Sequence, residues 1–465
     1  MIFLPVVFTL YRLLDNKYKW MLLLAASYYF YMSWSIGAGA VLLLLTSISF
    51  YTALQLSKST ELKAKKRWLW LGITCNLACL IMFKYSGFFY STVSGLMNGQ
   101  ESGAATLLHN LFVPIGLSFY TYRLIAYIID VYREKMQPEH HFGKFALFAS
   151  FFPIILSGPI ERFSVLSAQL FSPQKLNYNS LSSAVRIATW GYFKKIVIAE
   201  RLAEFVDPVF SVPQNYSGGT LLITAFFFVV QLYADFSGYT DIVTGVARLF
   251  GIELSINWRR PLLARSLVVF WKRYHITLTS WFHDYVYMPF VSNSRSYAFW
   301  VLNIFVVFLI SGLWHGANVT FIVWGAMHGF VYVIEVLLNK KIRFSKPFFI
   351  VGWLYVIAFH TLSLIAFRAN TTAALGLIYK KIFGFNYSLS QAIHELSGIH
   401  SFFPLALSGA LIVFLFLKEL NEEFLFSAGY KRLGSFARAV FYVIVFVLIF
   451  VLGKFNANEF IYSHF

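Results

Sequence analysis

Long apolar runs separated by short clusters of lysine and arginine dominate the chain. One helical crossing of a bilayer core needs about 20 consecutive apolar residues, which sets the unit of reading. The first run, Ile2 to Leu10, is short and interrupted by Pro5, and Arg12, Lys17 and Lys19 follow it. Trp20–Trp34 and Ala38–Leu56 form a hairpin around Ser35-Ile36-Gly37, closed by Lys58, Lys63, Lys65, Lys66 and Arg67. The positive-inside bias assigns that closing loop to the cytoplasm. Trp68–Phe83 leads out to a polar loop at 98–103, and Leu107–Ile129 returns to Arg133 and Lys135. Phe145–Gly158 contains Pro153 and Gly158 between the basic flanks Lys144 and Arg162, a pattern that predicts a dip into the membrane rather than a crossing.

Arg186, Lys194, Lys195 and Arg201 mark the next helix as amphipathic or cytoplasm-anchored, and the loop from Pro208 to Gly219 falls outside. Leu221–Phe250 returns inward, and Arg259, Arg260, Arg265, Lys272 and Arg273 assign 251–296 to the cytoplasmic side. The apolar stretch 297–338 is too long for one crossing and is basic at both ends, so it is expected to go in and come back. Phe348–Phe367, Phe402–Leu417 and Val440–Leu452 complete the alternation. The pattern predicts an all-α polytopic membrane protein of eleven or twelve spans plus re-entrant and amphipathic segments. It forms one transmembrane domain over 1–465, with an extracytoplasmic tail at 455–465. No internal repeat at a fixed period is visible.

Composition agrees with this picture. The chain is 58% hydrophobic and 20% aromatic, and only 12% charged, against about 25% charged in an ordinary soluble domain. The net charge of +18 lies in clusters between spans. That distribution reads as topology and contact with anionic lipid rather than nucleic acid. Cys75 and Cys79, both inside an apolar run, exclude a disulfide framework, and no further ligands lie nearby to make them a metal pair. The start Met1-Ile2-Phe3-Leu4-Pro5 lacks a basic leader and a small-residue cleavage site, so no removed signal peptide is expected.

Against this apolar background the ionisable residues stand out. His315 lies between Gly312 and Gly316 in Ile310–Asn318. A titratable group at membrane depth is costly and points to function, and imidazole is suited to moving protons near neutral pH. A core histidine held by one hydrogen bond is the competing reading. If 297–338 reverses here, irregular backbone is tolerated only when buried in protein or lining a wet cavity, which puts His315 on a pocket wall. His328 would lie about 220° round a continuous helix from His315 and reads as structural.

Read as one helix, 270–285 places Trp271, His275, Leu278, Phe282 and Tyr285 within about 80° of one another. Lys272, Arg273, Thr277, Ser280, His283 and Asp284 take the other side. His275 is then either a packed core histidine or a second polar group facing the cavity of His315. Asp235 and Asp241 flank Gly238. They read as ion-pair partners of the nearby cytoplasmic arginines, with a cation site or proton relay as the alternative. The terminus Phe460-Ile461-Tyr462-Ser463-His464-Phe465 is an interfacial aromatic anchor, or a phenol able to accept an acyl group once a base removes its proton. His109, His140, His141, His360, His394 and His400 have no partner at metal-ligand spacing, and no metal site is expected.

Several of these segments together resemble the membrane-bound O-acyltransferases, closest to the bacterial branch of alginate and peptidoglycan O-acetyltransferase membrane subunits. The segments are Phe151-Phe152-Pro153 through Ser157-Gly158-Pro159-Ile160-Glu161-Arg162, Asp235-Phe236-Ser237-Gly238-Tyr239-Thr240-Asp241, Phe270–Leu278, Ser311-Gly312-Leu313-Trp314-His315-Gly316 and Phe367-Arg368-Ala369. The resemblance implies tilted helices around a central tunnel, His315 as the catalytic histidine and His275 as the second polar position of the bacterial branch. It also makes Tyr462 a candidate acyl relay, because the tail resembles an acyl-accepting peptide of that branch. Tyr274 and His283 depart from the family pattern, where tryptophan and arginine are more usual.

The expected activity is transfer of an acyl group, acetyl above all, from acetyl-CoA or an acyl carrier protein to a cell-wall or extracellular polysaccharide. No permanently bound cofactor is implied. An extracytoplasmic SGNH-hydrolase-like partner, a bacterial inner-membrane location and an outward C-terminus go with that reading. D-alanyl transfer to teichoic acid, a proton-coupled transporter or flippase, and a structural scaffold are the rivals.

Overall fold

The computed structural model describes residues 2–96, 113–172, 177–291, 296–316, 318–339, 349–385, 387–425 and 435–455. Among these residues the regular structure is helical throughout, with no strand. A helix closes its backbone hydrogen bonds within itself, which suits a chain with this many apolar runs in lipid. Seven helices are long and apolar enough to cross a membrane: Ile36–Lys58, Leu62–Gly87, Gly218–Leu249, Tyr297–His315, Val319–Leu338, Ile350–Arg368 and Phe402–Phe424. Phe3–Leu13 and Ala439–Leu452 are shorter apolar helices.

The sequence count of eleven or twelve included two segments that take a different form. Asn16–Trp34 brings Lys17, Lys19 and several tyrosines into its length. Leu117–Tyr132 has 16 residues and is buried along most of them, including Arg123, so it is a core helix rather than a lipid-facing one.

The chain divides into two compact units. The first comprises Met1–Val185, Val243–Ser255 and His283–Tyr285. Within it, Phe142–Ser150 is a helix of 9 residues followed by buried, irregular backbone at 151–157. Pro153 lies in this irregular stretch, and the short helix before it is not long enough to cross a membrane. The Arg123 guanidinium donates to the carbonyls of Phe148 and Ala149 at 3.3 and 3.0 Å. It thereby satisfies acceptors that the end of the helix leaves open.

The second unit, Arg186–Ile242, Ile256–Phe282 and Val286–Phe465, contains Asp235, Asp241, His275, His315 and His328. Tyr297–His315 and Val319–Asn339 pack as a hairpin. A Cβ on Gly312 would run into the Phe321 carbonyl, and one on Gly325 into the Phe308 carbonyl, so both glycines serve close backbone approach. Gly191 and Gly238 do the same for another helix pair: a Cβ on Gly191 would stand 2.6 Å from the Gly238 carbonyl oxygen.

That second approach corrects the reading of Asp235 and Asp241. The Gly218–Leu249 helix runs unbroken through Gly238. Asp235 pairs with Lys195 at 2.5 Å and Asp241 with Lys194 at 2.8 Å. The partners are lysines of the π-helical turn Phe193–Ala199, two residues beyond Gly191, rather than arginines of 258–273. Lys195 also reaches Glu200 at 2.7 Å, and Lys194 donates to Ser237 Oγ at 2.9 Å.

Candidate functional site

His315 is the last residue of its helix. Gly316 continues in extended backbone, and the next helix starts at Val319. The reversal expected from hydropathy therefore falls at His315. Its ring is buried among aromatics, with centroids 4.7 Å from Trp314, 5.1 Å from Trp324 and 5.0 Å from Phe367.

His275 is held quite differently. Its φ of 46° lies in the left-handed region, which costs an L-residue roughly 1–2 kcal/mol. The neighbouring backbone is clamped on both sides. Arg259 N–H donates to the Arg273 carbonyl at 2.9 Å, and Ile276 N–H to the Asn257 carbonyl at 2.9 Å. Asn257 Oδ1 then accepts from the Thr277 amide and hydroxyl at 3.0 and 2.9 Å. The expected single helix over 270–285 is consequently two short helices, Leu267–Trp271 and Ile276–Phe282, with the histidine in the turn between them. Thr277, expected on the outer side, is buried because Asn257 holds it.

The prediction that His275 faces inward survives this break. The residue is 1% exposed, with its ring against Phe236 at 4.7 Å, Trp258 at 5.9 Å and Trp314 at 6.3 Å. Burial pushes its imidazole down to about 3, so the neutral ring is the form present at ordinary pH. Trp314 touches both histidines and joins the two turns into one aromatic site.

Trp258 is itself fixed by donation from Nε1 to Thr240 Oγ1 at 3.1 Å, and it packs on Tyr274 at 4.6 Å. Phe367, from the late Phe367-Arg368-Ala369 segment, closes the cage over His315. Arg368 beside it is paired with Asp207 at 2.9 Å.

His328 calls for a correction. The break at Gly316 removes the continuous helix on which its 220° separation from His315 was reckoned. Its ring lies 4.8 Å from Trp324, which also packs against His315 at 5.1 Å. Tyr462 lies outside the described residues.

Sequence reasoning gave no role to Trp314, Trp324, Trp258, Phe367 or Asn257. In a chain with 52 phenylalanines, 28 tyrosines and 12 tryptophans, an aromatic residue stands out too little to be picked. Trp314 carried a usable signal through its adjacency to His315, and Phe367 through the Phe367-Arg368-Ala369 segment.

The basic segment is partly neutralised. Glu423 accepts from Arg260 at 2.9 Å and from Arg273 at 2.8 Å, while Arg259, Arg265 and Lys272 remain exposed. Among the described residues no three His, Cys, Asp or Glu side chains converge to hold a metal ion. A cavity of about 390 Å³, lined by Leu222, Phe226, Leu362 and Phe385 among others, includes neither histidine in its wall.

Comparison with known proteins decides the family. The model of the membrane-bound O-acyltransferase family matches residues 23–376, a span that includes both histidines. The chain belongs to this family. It is similar to the probable alginate O-acetylase AlgI of Pseudomonas syringae pv. tomato, 34% identical over 393 residues, which cover 84% of this chain and 75% of that protein. It is also similar to the peptidoglycan O-acetyltransferase of Helicobacter pylori, 33% identical over 420 residues, covering 83% and 78%. A more distant likeness links it to the teichoic acid D-alanyltransferase of Streptococcus thermophilus, 30% identical over 263 residues, covering 53% and 61%. This membrane-bound O-acyltransferase is therefore an enzyme of acyl transfer, built from membrane-spanning helices.

Proposed function

We propose that the enzyme O-acetylates a cell-wall or extracellular polysaccharide, taking acetyl from a cytoplasmic thioester with His315 as general base. The observation that carries this reading is the pair of buried imidazoles meeting one indole, Trp314, inside the span that matches an acyltransferase family. The relatives that cover most of the chain bear O-acetyltransferase names, which favours acetyl over D-alanyl.

His315 removes the proton of the attacking hydroxyl. The oxygen adds to the thioester carbonyl, the tetrahedral intermediate collapses with cleavage of the carbon–sulfur bond, and the departing thiolate takes the proton from the imidazolium. Such base catalysis contributes typically 10²–10⁴-fold. Neutral His275 orients the thioester carbonyl from the other side of Trp314. The exposed Arg259, Arg265 and Lys272 draw in an anionic donor, acetyl-CoA or an acidic acyl carrier protein.

Tyr462 is the relay in this scheme. Its phenol takes the acetyl group as an ester and yields it to an extracytoplasmic SGNH-hydrolase-like partner, which passes it to the sugar. The bacterial inner membrane, with the C-terminus outside, is the setting this requires. A transporter that relays protons through Asp235 and Asp241 is disfavoured, since both carboxylates are held by lysines.

The test is alkali-released ester on the polymer from cells with and without the chain. Chain-dependent acetate is expected. Chain-dependent D-alanine would move the enzyme to the teichoic acid branch, and no chain-dependent ester would overturn the proposal. In the same cells Tyr462→Phe is expected to abolish the acetate, and full acetylation by that variant would refute the relay.

A further inference from the structure

Beyond the two histidine turns, the second unit contains a third polar cluster that the mechanism above leaves unused. His328, His360, Trp271 and Trp324 are all buried. The His328 ring stands 4.8 Å from Trp324, 5.3 Å from Trp271 and 5.8 Å from His360. Trp324 in turn packs against His315, so one indole separates this cluster from the proposed base. Among the described residues, His328 Nδ1, His360 Nδ1 and the Nε1 atoms of Trp271 and Trp324 have no hydrogen-bond partner. Buried polar atoms are nearly always satisfied, so four unsatisfied ones gathered around one ring call for a ligand.

The hydrogen bonds nearby define what that ligand offers. Ser363 Oγ donates its one proton back to the His360 carbonyl at 3.1 Å, a common arrangement for serine in a helix. Toward His328 Nε2, 3.0 Å away, the same oxygen is therefore the acceptor. That makes Nε2 the protonated nitrogen of His328 and leaves Nδ1 as a fixed acceptor. The two indoles supply N–H donors. Setting His360 Nδ1 aside, the remaining three atoms, one acceptor beside two donors, are the complement of a secondary amide, which brings one N–H and one carbonyl.

We propose that His328 is a donor-binding residue: its Nδ1 accepts an amide N–H of the thioester's pantetheine arm, while Trp324 and Trp271 N–H groups face the amide carbonyl. The inference rests on the thioester-donor reading above. It implies recognition of the arm that CoA and a carrier protein share, at the side of Trp324 away from His315.

The experiment measures acetyl-CoA binding to the full-length chain in lipid nanodiscs, with melting temperature as a check on folding. The two amide isosteres of histidine separate the roles. His328→Gln keeps a group near the Nε2 position, against Ser363, and removes the one near Nδ1. His328→Asn keeps a group near Nδ1 and removes the contact with Ser363. Loss of one good hydrogen bond is about tenfold in affinity. The expected result is that His328→Gln binds acetyl-CoA about tenfold more weakly at an unchanged melting temperature, with His328→Asn closer to wild type.

Wild-type affinity in His328→Gln would overturn the proposal and leave His328 a structural residue that holds water at Nδ1. If His328→Gln does not fold, Ser363→Ala decides, because it releases the imidazole tautomer without removing the ring: weaker binding supports the assignment and unchanged binding overturns it. Failure of the wild-type chain to bind acetyl-CoA at all would refute the CoA-donor reading, and this inference with it, a result distinct from a loss confined to the variants.

Discussion

His315 and His275 meet the same indole, yet the turns that carry them are built on opposite principles. His315 ends a helix in ordinary backbone, and its position depends on what glycine leaves out: Gly312 and Gly316 admit Phe321 of the returning helix. His275 sits in left-handed backbone, and its position depends on what a remote segment adds, the hydrogen bonds of Asn257 and Arg259. One turn is formed by close packing between neighbours in sequence, the other by long-range polar clamping against intrinsic preference. His315 closes its helix among aromatic rings, whereas burial holds the second histidine neutral.

The largest way to break this comparison is at the packed turn. Gly312→Leu places carbon where the Phe321 carbonyl lies, so the two helices must separate and the cage around His315 opens. Overpacking of this kind costs typically 1–3 kcal/mol and often more. Acyl transfer is expected to fall at least about 100-fold, on the scale that base catalysis contributes, with a lowered melting temperature. Near-normal activity would show that the close approach is dispensable.

The clamped turn should break through its clamp. Asn257→Ala removes the acceptor of two buried hydrogen bonds from Thr277, at about 1–3 kcal/mol. A stability loss of that size, measured by thermal unfolding, should come with reduced acyl transfer although no histidine has changed. Unaltered activity would mean that His275 keeps its place without Asn257.

A smaller effect sharpens the contrast further. Both His275→Gly and His275→Ala delete the imidazole, but glycine adopts φ of 46° without strain. The glycine variant is therefore expected to be the more stable of the two by about 1 kcal/mol, with equally reduced activity. Equal melting temperatures would argue that the turn is not strained.

The contrast also explains what was legible in the sequence. The hydropathy of 297–338 and the glycines around His315 mark a reversal by local chemistry alone, and the helix does end there. The inward face of His275 followed from periodicity, but the broken helix did not, because its cause lies 18 residues upstream in an asparagine with no pattern around it. Lys194 and Lys195 were recognisable as a basic pair, while their attachment to Asp241 and Asp235 follows from Gly191 meeting Gly238, a contact between helices that one-dimensional spacing does not encode. His328 was assigned to a separate face on the premise of one continuous helix, and the reversal at His315 removed that premise.

The central claim is that His315 is the base. Its most direct test is ester-linked acetate on the polysaccharide of cells carrying His315→Ala, with membrane levels of the protein matched to wild type. The account predicts a fall of about 10²–10⁴-fold. Acetylation at the wild-type level in that variant would contradict it.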